Sequence, residues 1–111
     1  MALDDPDAAI ALLERMLAAC PIEATCLPGF LSMLRAQAAF VSAGPRCVVS
    51  RVNYMGDAGG IVCRLDFGLG EGKPAPVVSI THLLFDGDHP LSDDIAAYQK
   101  HRITRLREQS A

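Results

Sequence analysis

Ile10, Leu13 and Leu17 recur at i, i+3 and i+7 with Met16 beside them, the spacing that gives a helix one apolar face. Asp5 can cap that helix, Pro6 suits its first turn, and Cys20-Pro21 ends it, so the pattern predicts a helix over residues 5–20. A loop over 21–27 leads to Pro28. Phe30, Leu34, Ala38 and Val41 then keep a helical period as far as Gly44-Pro45, predicting a second helix over 29–43. Leu31, Met33 and Phe40 add apolar residues on its other flank, which marks this helix as the central one or one buried by a partner.

From Arg46 the period changes from 3.6 to 2. Residues 47–54 have the β-branched content of a strand, and Met55-Gly56-Asp57-Ala58-Gly59 supplies turn chemistry. Ile61, Cys63, Leu65 and Phe67 alternate cleanly with Val62, Arg64 and Asp66. A Gly/Pro-rich hairpin loop over 68–76 precedes a third strand over 77–85. Asp86-Gly87-Asp88-His89-Pro90 breaks the sheet, and Ser92 caps a last helix with Asp93 and Asp94 in its first turn. Ile95, Tyr98, Ile103 and Leu106 form its apolar stripe. The expected architecture is α+β in the order α-α-β-β-β-α: two N-terminal helices, a three-stranded antiparallel meander and a C-terminal helix.

Length places all of this in one domain spanning residues 1–111, large enough to bury a core without metal or disulfide staples. Half the residues are hydrophobic and 21% are charged, which excludes a disordered chain. No apolar run approaches the ~20 residues of a membrane span, and the acidic start Asp4-Asp5 is unlike a secretory signal, so a cytoplasmic protein with no membrane partner is expected. Cys20, Cys26, Cys47 and Cys63 are separated by gaps of five, twenty and fifteen residues, which do not form the close pairs of a structural zinc site. They read as small buried hydrophobes, with a Cys20–Cys26 disulfide as the second choice.

A net charge of −3 argues against nucleic acid, although Lys100, Arg102, Arg105 and Arg107 gather at the end of the last helix. The last five elements resemble the double-stranded-RNA-binding domain in their order. That resemblance implies a basic cluster opening the last helix, where Ser92, Asp93 and Asp94 stand instead. The loop Gly68-Leu69-Gly70-Glu71-Gly72-Lys73-Pro74 lacks the first glycine and the hydroxyl residue of a phosphate-binding loop, and a strand follows it. No cofactor is required on these grounds.

Two features carry functional expectations. The sheet face left by Ile61, Cys63, Leu65 and Phe67 exposes Val62, with Val77, Leu83 and Phe85 or their alternating neighbours, and a second copy of the chain is expected to cover it. The leading reading is therefore a small homodimeric binding or regulatory module. The alternative is a small enzyme dependent on a divalent metal or another ligand, because His82, Asp86, Asp88 and His89 place imidazoles and carboxylates within eight residues. Turn chemistry and helix capping account for Asp86 and Asp88 without any ligand.

Overall fold

The computed structural model describes residues 4–68 and 75–110. Its elements run α1 (Pro6–Ala19), β1 (Ile22–Cys26), α2 (Pro28–Arg35), a 3₁₀ turn (Ala38–Phe40), β2 (Arg46–Tyr54), the single turn α3 (Gly56–Gly59), β3 (Ile61–Asp66), β4 (Val77–Ser79), a second 3₁₀ turn (Ile80–His82), β5 (Leu83–Phe85) and α4 (Ser92–Ser110). The α+β class stands. The sheet has five antiparallel strands in the order β4-β3-β2-β1-β5 rather than three in a meander. Most of the loop expected over 68–76 lies outside the described residues.

The two outermost strands are consecutive in the chain, and that forces the sheet to curl. Flat, β4 and β5 would stand four strand spacings apart, roughly 19 Å. The four residue-to-residue steps from Ser79 to Leu83 reach at most ~14 Å. The sheet therefore bends toward closure, and its concave side becomes the core. A bulge in β2 between Val49 and Arg51 adds local twist while keeping Val49 and Val52 both inward.

Inward positions alternate as a half-buried sheet requires: Ile22, Ala24 and Cys26; Cys47, Val49 and Val52; Ile61, Cys63 and Leu65; Leu83 and Phe85. Leu12 and Met16 of α1 fill the concavity, joined by Leu91 and by Ile95 of α4. α1 lies on β2 and beside α4. The buried face of α1 is thus Ala9, Leu12 and Met16, whereas Ile10 and Leu17 of the expected stripe stand 42% and 46% exposed. Apolar residues cover two adjacent flanks of this helix, so period alone does not choose between them.

α2 is shorter than expected and peripheral rather than central. It breaks after Arg35, whose Nε donates to Ala43 O at 2.7 Å, and the following 3₁₀ turn helps build a small satellite core of Leu34, Phe40 and Ala43. Between them Pro21 and Pro28 bracket β1, which the pattern reads as loop. The expected third strand is two short strands on opposite edges of the sheet, divided where Ser79 Oγ accepts from Thr81 N and caps the 80–82 turn.

Candidate functional site

The corner at the end of β5 distributes its four expected residues among separate partners. His82 stacks on Phe30, with ring centroids 5.1 Å apart and planes 14° from parallel. Asp86 pairs with Arg46 at 3.0 Å, and that hydrogen bond holds its carboxyl below the usual carboxylate range. His89 Nδ1 accepts from Leu91 N at 3.0 Å, so a neutral His89 carries its proton on Nε2 and presents a donor there. Asp88 is exposed. Asp86, Asp88 and His89 do share a cavity of about 410 Å³ with Glu23, Pro21 and Pro90, and His82 is not among its lining residues. Among the described residues no group of three or more His, Cys, Asp or Glu is placed to hold a metal ion.

The sheet face left open by the helices is the convex one. Its strand register sets Arg51 directly opposite Arg64, Arg64 opposite Val77, Val62 opposite Ser79, and Glu23 opposite Val48. Val77 is 60% exposed and Val62 is half-buried on this face. Leu83 and Phe85, expected with them, point the other way and are core residues at 2% and 7% exposure, while Leu84 between them faces out. The 80–82 turn resets the alternation, which is why a continuous period through 77–85 misassigns the face. Arg46 anchors the acidic end of the same face, reaching Glu23 at 3.5 Å as well as Asp86.

A second cavity, about 530 Å³, runs between α1 and α4 over Ala8, Ala11, Leu12 and Ala97, with Tyr98 and His101 on one wall and the Arg15–Asp94 ion pair bridging it. The cysteines contribute to the core. Cys26, Cys47 and Cys63 are buried, Cys20 is partly so, and all four are free thiols. Cys26 and Cys47 touch across β1 and β2 with Sγ atoms 3.9 Å apart. Burial pushes the Cys47 and Cys63 thiols up to about 12.

Sequence reasoning missed the most heavily bonded polar cluster among the described residues. Asp4 and Arg102 are both buried, with side chains 0% and 3% exposed. Arg102 Nη1 donates to both Asp4 carboxylate oxygens at 3.1 Å and to Asp57 O at 3.0 Å, while Nη2 donates to Ala58 O at 2.6 Å. Tyr98 Oη donates to Asp4 Oδ2 at 2.9 Å and accepts from Ile61 N at 3.1 Å; Tyr54 Oη donates to the same Oδ2 at 3.3 Å. Asp4 N donates to Asp57 Oδ1 at 2.9 Å. Burial and the Asp4 carboxylate raise the Tyr98 hydroxyl to about 12, despite the opposing hydrogen bond from Ile61. Arg102 is therefore not part of a basic surface. Arg105 pairs with Glu108 at 3.4 Å, so the positive run of α4 is interrupted at two of its four positions.

No helix among the described residues is long and apolar enough to cross a membrane. Comparison of the chain with protein-family models, with curated proteins and with solved structures finds no match in any of the three, so its function is argued from the residues themselves.

Proposed function

We propose that this chain is a small homo-oligomeric binding module whose docking surface is the convex face of the sheet, with a second copy as the occupant. The observation that carries the reading is the Arg51–Arg64 pair. The two guanidinium-bearing residues stand directly opposite on adjacent strands, both exposed, and neither side chain has a hydrogen-bond or ion-pair partner among the described residues. Like charges directly opposite across a sheet destabilise the free chain. An acidic surface laid over them would reverse the sign of that contribution.

The chain carries such a surface itself. Val62 and Val77 flank the arginines toward β4, and on the β1–β5 side exposed Leu84 stands opposite Thr25, with Glu23 two residues along β1 and Asp86 just past the end of β5. One end of the face is thus aliphatic and cationic; the other is aliphatic and keeps a net negative charge after Arg46 pairs with Glu23 and Asp86. In a self-association residue i of one copy meets j of the other, which suits a face with complementary ends.

Light scattering at micromolar concentration tests this. The expected mass is a multiple of 11.8 kDa, falling to 11.8 kDa for the Arg51→Glu/Arg64→Glu variant. Mixing that variant with Glu23→Arg/Asp86→Arg is expected to restore the larger mass. A wild-type mass of one chain at these concentrations would refute the second-copy reading.

A further inference from the structure

The Asp4 cluster has the construction of a receptor and its ligand. The receptor groups come from three elements: Tyr54 from the end of β2, the Asp57 and Ala58 carbonyls from α3, and Tyr98 and Arg102 one turn apart on α4. The ligand is a single carboxylate on a residue outside any helix or strand, since α1 begins at Pro6 and its cap is Asp5.

The receptor is also held without the ligand. Arg102 is fixed by the Asp57 and Ala58 carbonyls, and Tyr98 Oη by the Ile61 N–H, and none of these bonds involves Asp4. Gly60 is shaped to the same end. A Cβ at that position would lie 2.6 Å from Arg102 Cζ and 2.7 Å from Tyr98 Oη, so the backbone of the turn closes on the guanidinium with no side chain between them. Such a pocket keeps its donors aimed at one point when the carboxylate leaves, and the cost of leaving a buried guanidinium unmatched favours any anion that fits.

We propose that Tyr54, Tyr98 and Arg102 form a carboxylate-binding site that Asp4 occupies in cis, and that a free monocarboxylate takes its place when that side chain is withdrawn. A single negative charge is specified by the surroundings. Among the described residues the cation bonded to the site is Arg102, and the Asp57 carboxylate beside it accepts from Asp4 N, so a dianion meets more negative charge there than Arg102 matches. A carboxylate offers two oxygens to Arg102 Nη1 and further lone pairs to the Tyr54 and Tyr98 hydroxyls, as Asp4 does, which suits the site better than a spherical ion does.

The test uses the full chain carrying Asp4→Ala, which retains Asp5 as the α1 cap, and follows its melting temperature against acetate and against chloride at matched ionic strength. The variant is expected to melt below wild type. Acetate at ten times its Kd is expected to raise its Tm by roughly 5–10 °C in a saturable manner. Chloride is expected to do much less, and wild type, whose site is filled, to respond to neither. Asp4→Ala/Arg102→Met replaces the guanidinium with a hydrophobic side chain and is expected to lose the acetate response. The proposal is overturned if acetate and chloride act alike on Asp4→Ala, if the response survives Arg102→Met, if Asp4→Ala melts with wild type and ignores acetate, or if it stays unfolded at every acetate concentration.

Discussion

A guanidinium at 3% exposure is tolerable only while its N–H groups find acceptors, and around Arg102 the acceptors are two carbonyls of a four-residue turn and one carboxylate. Gly60 makes that geometry possible twice over. Its φ of +65° is a backbone conformation that side-chain-bearing residues rarely adopt, and its missing Cβ is the space Arg102 and Tyr98 use. Gly60→Ala therefore meets backbone strain and a clash together, and a loss of about 2–4 kcal/mol is expected in urea unfolding. Gly29→Ala is the control, because an added Cβ there meets nothing within 4 Å, and it is expected to change stability by under ~1 kcal/mol. Equal losses at the two positions would show that the turn is not specially tuned. One part of this cluster was legible in the sequence: Arg102 falls in helical phase with Ile95 and Tyr98, so an arginine within an apolar stripe signals a buried charge. Its partner was not legible. Asp4 lies 98 positions away, and no local period encodes a pairing at that distance.

At the scale of elements, pattern identified the long helices and strands but not the short ones, and it chose faces and ends unevenly. α1, β2, β3 and α4 lie close to where periodicity puts them because each is long enough to repeat its signal. β1 was lost because its five residues, buried and exposed in alternation, sit between two prolines that suggest a loop. β4 and β5 were merged because Val77–Phe85 holds no glycine or proline to mark a break, and the break depends on a Ser79 hydroxyl cap and on a side chain from elsewhere. That side chain is Gln99 of α4, whose Nε2 donates to Ile80 O at 2.8 Å and to Leu83 O at 2.7 Å, one carbonyl on each side of the crossover. Replacing it with Leu, of similar size, leaves Ile80 O with the Leu83 N–H alone and takes the Gln99 donor from Leu83 O. Gln99→Leu is expected to cost about 1–3 kcal/mol and to raise amide exchange in β5 more than in β2. Uniform exchange across the sheet would show that Gln99 does not hold the crossover.

Taken whole, the molecule stores its ionisable groups in a way that makes it sensitive to alkali. Cys47 and Cys63 rise from 9.0 to about 12 and Tyr98 from 10.0 to about 12, in each case chiefly because the curled sheet and the helices over it keep water from the group. A group whose folded value is raised is stabilising below its unfolded value, and that stability drains away as pH rises toward the folded value. In the unfolded chain the two thiols ionise from about pH 9 and Tyr98 from about pH 10, while the folded chain holds those protons to about pH 12. Each such group makes unfolding easier by about 1.4 kcal/mol per pH unit within its window. Stability to urea is therefore expected to be flat near neutrality and to fall with increasing steepness from pH 9 to 11. Cys63→Ala is the discriminating variant. Removing the most deeply buried thiol costs packing at every pH, but it also removes one titrating group, so its curve is expected to lie below wild type at pH 7 and converge on it by pH 11. Curves that run parallel over that range would mean that the Cys63 thiol ionises at similar pH folded and unfolded, and that the concave side of the sheet is open to water where its packing says it is dry.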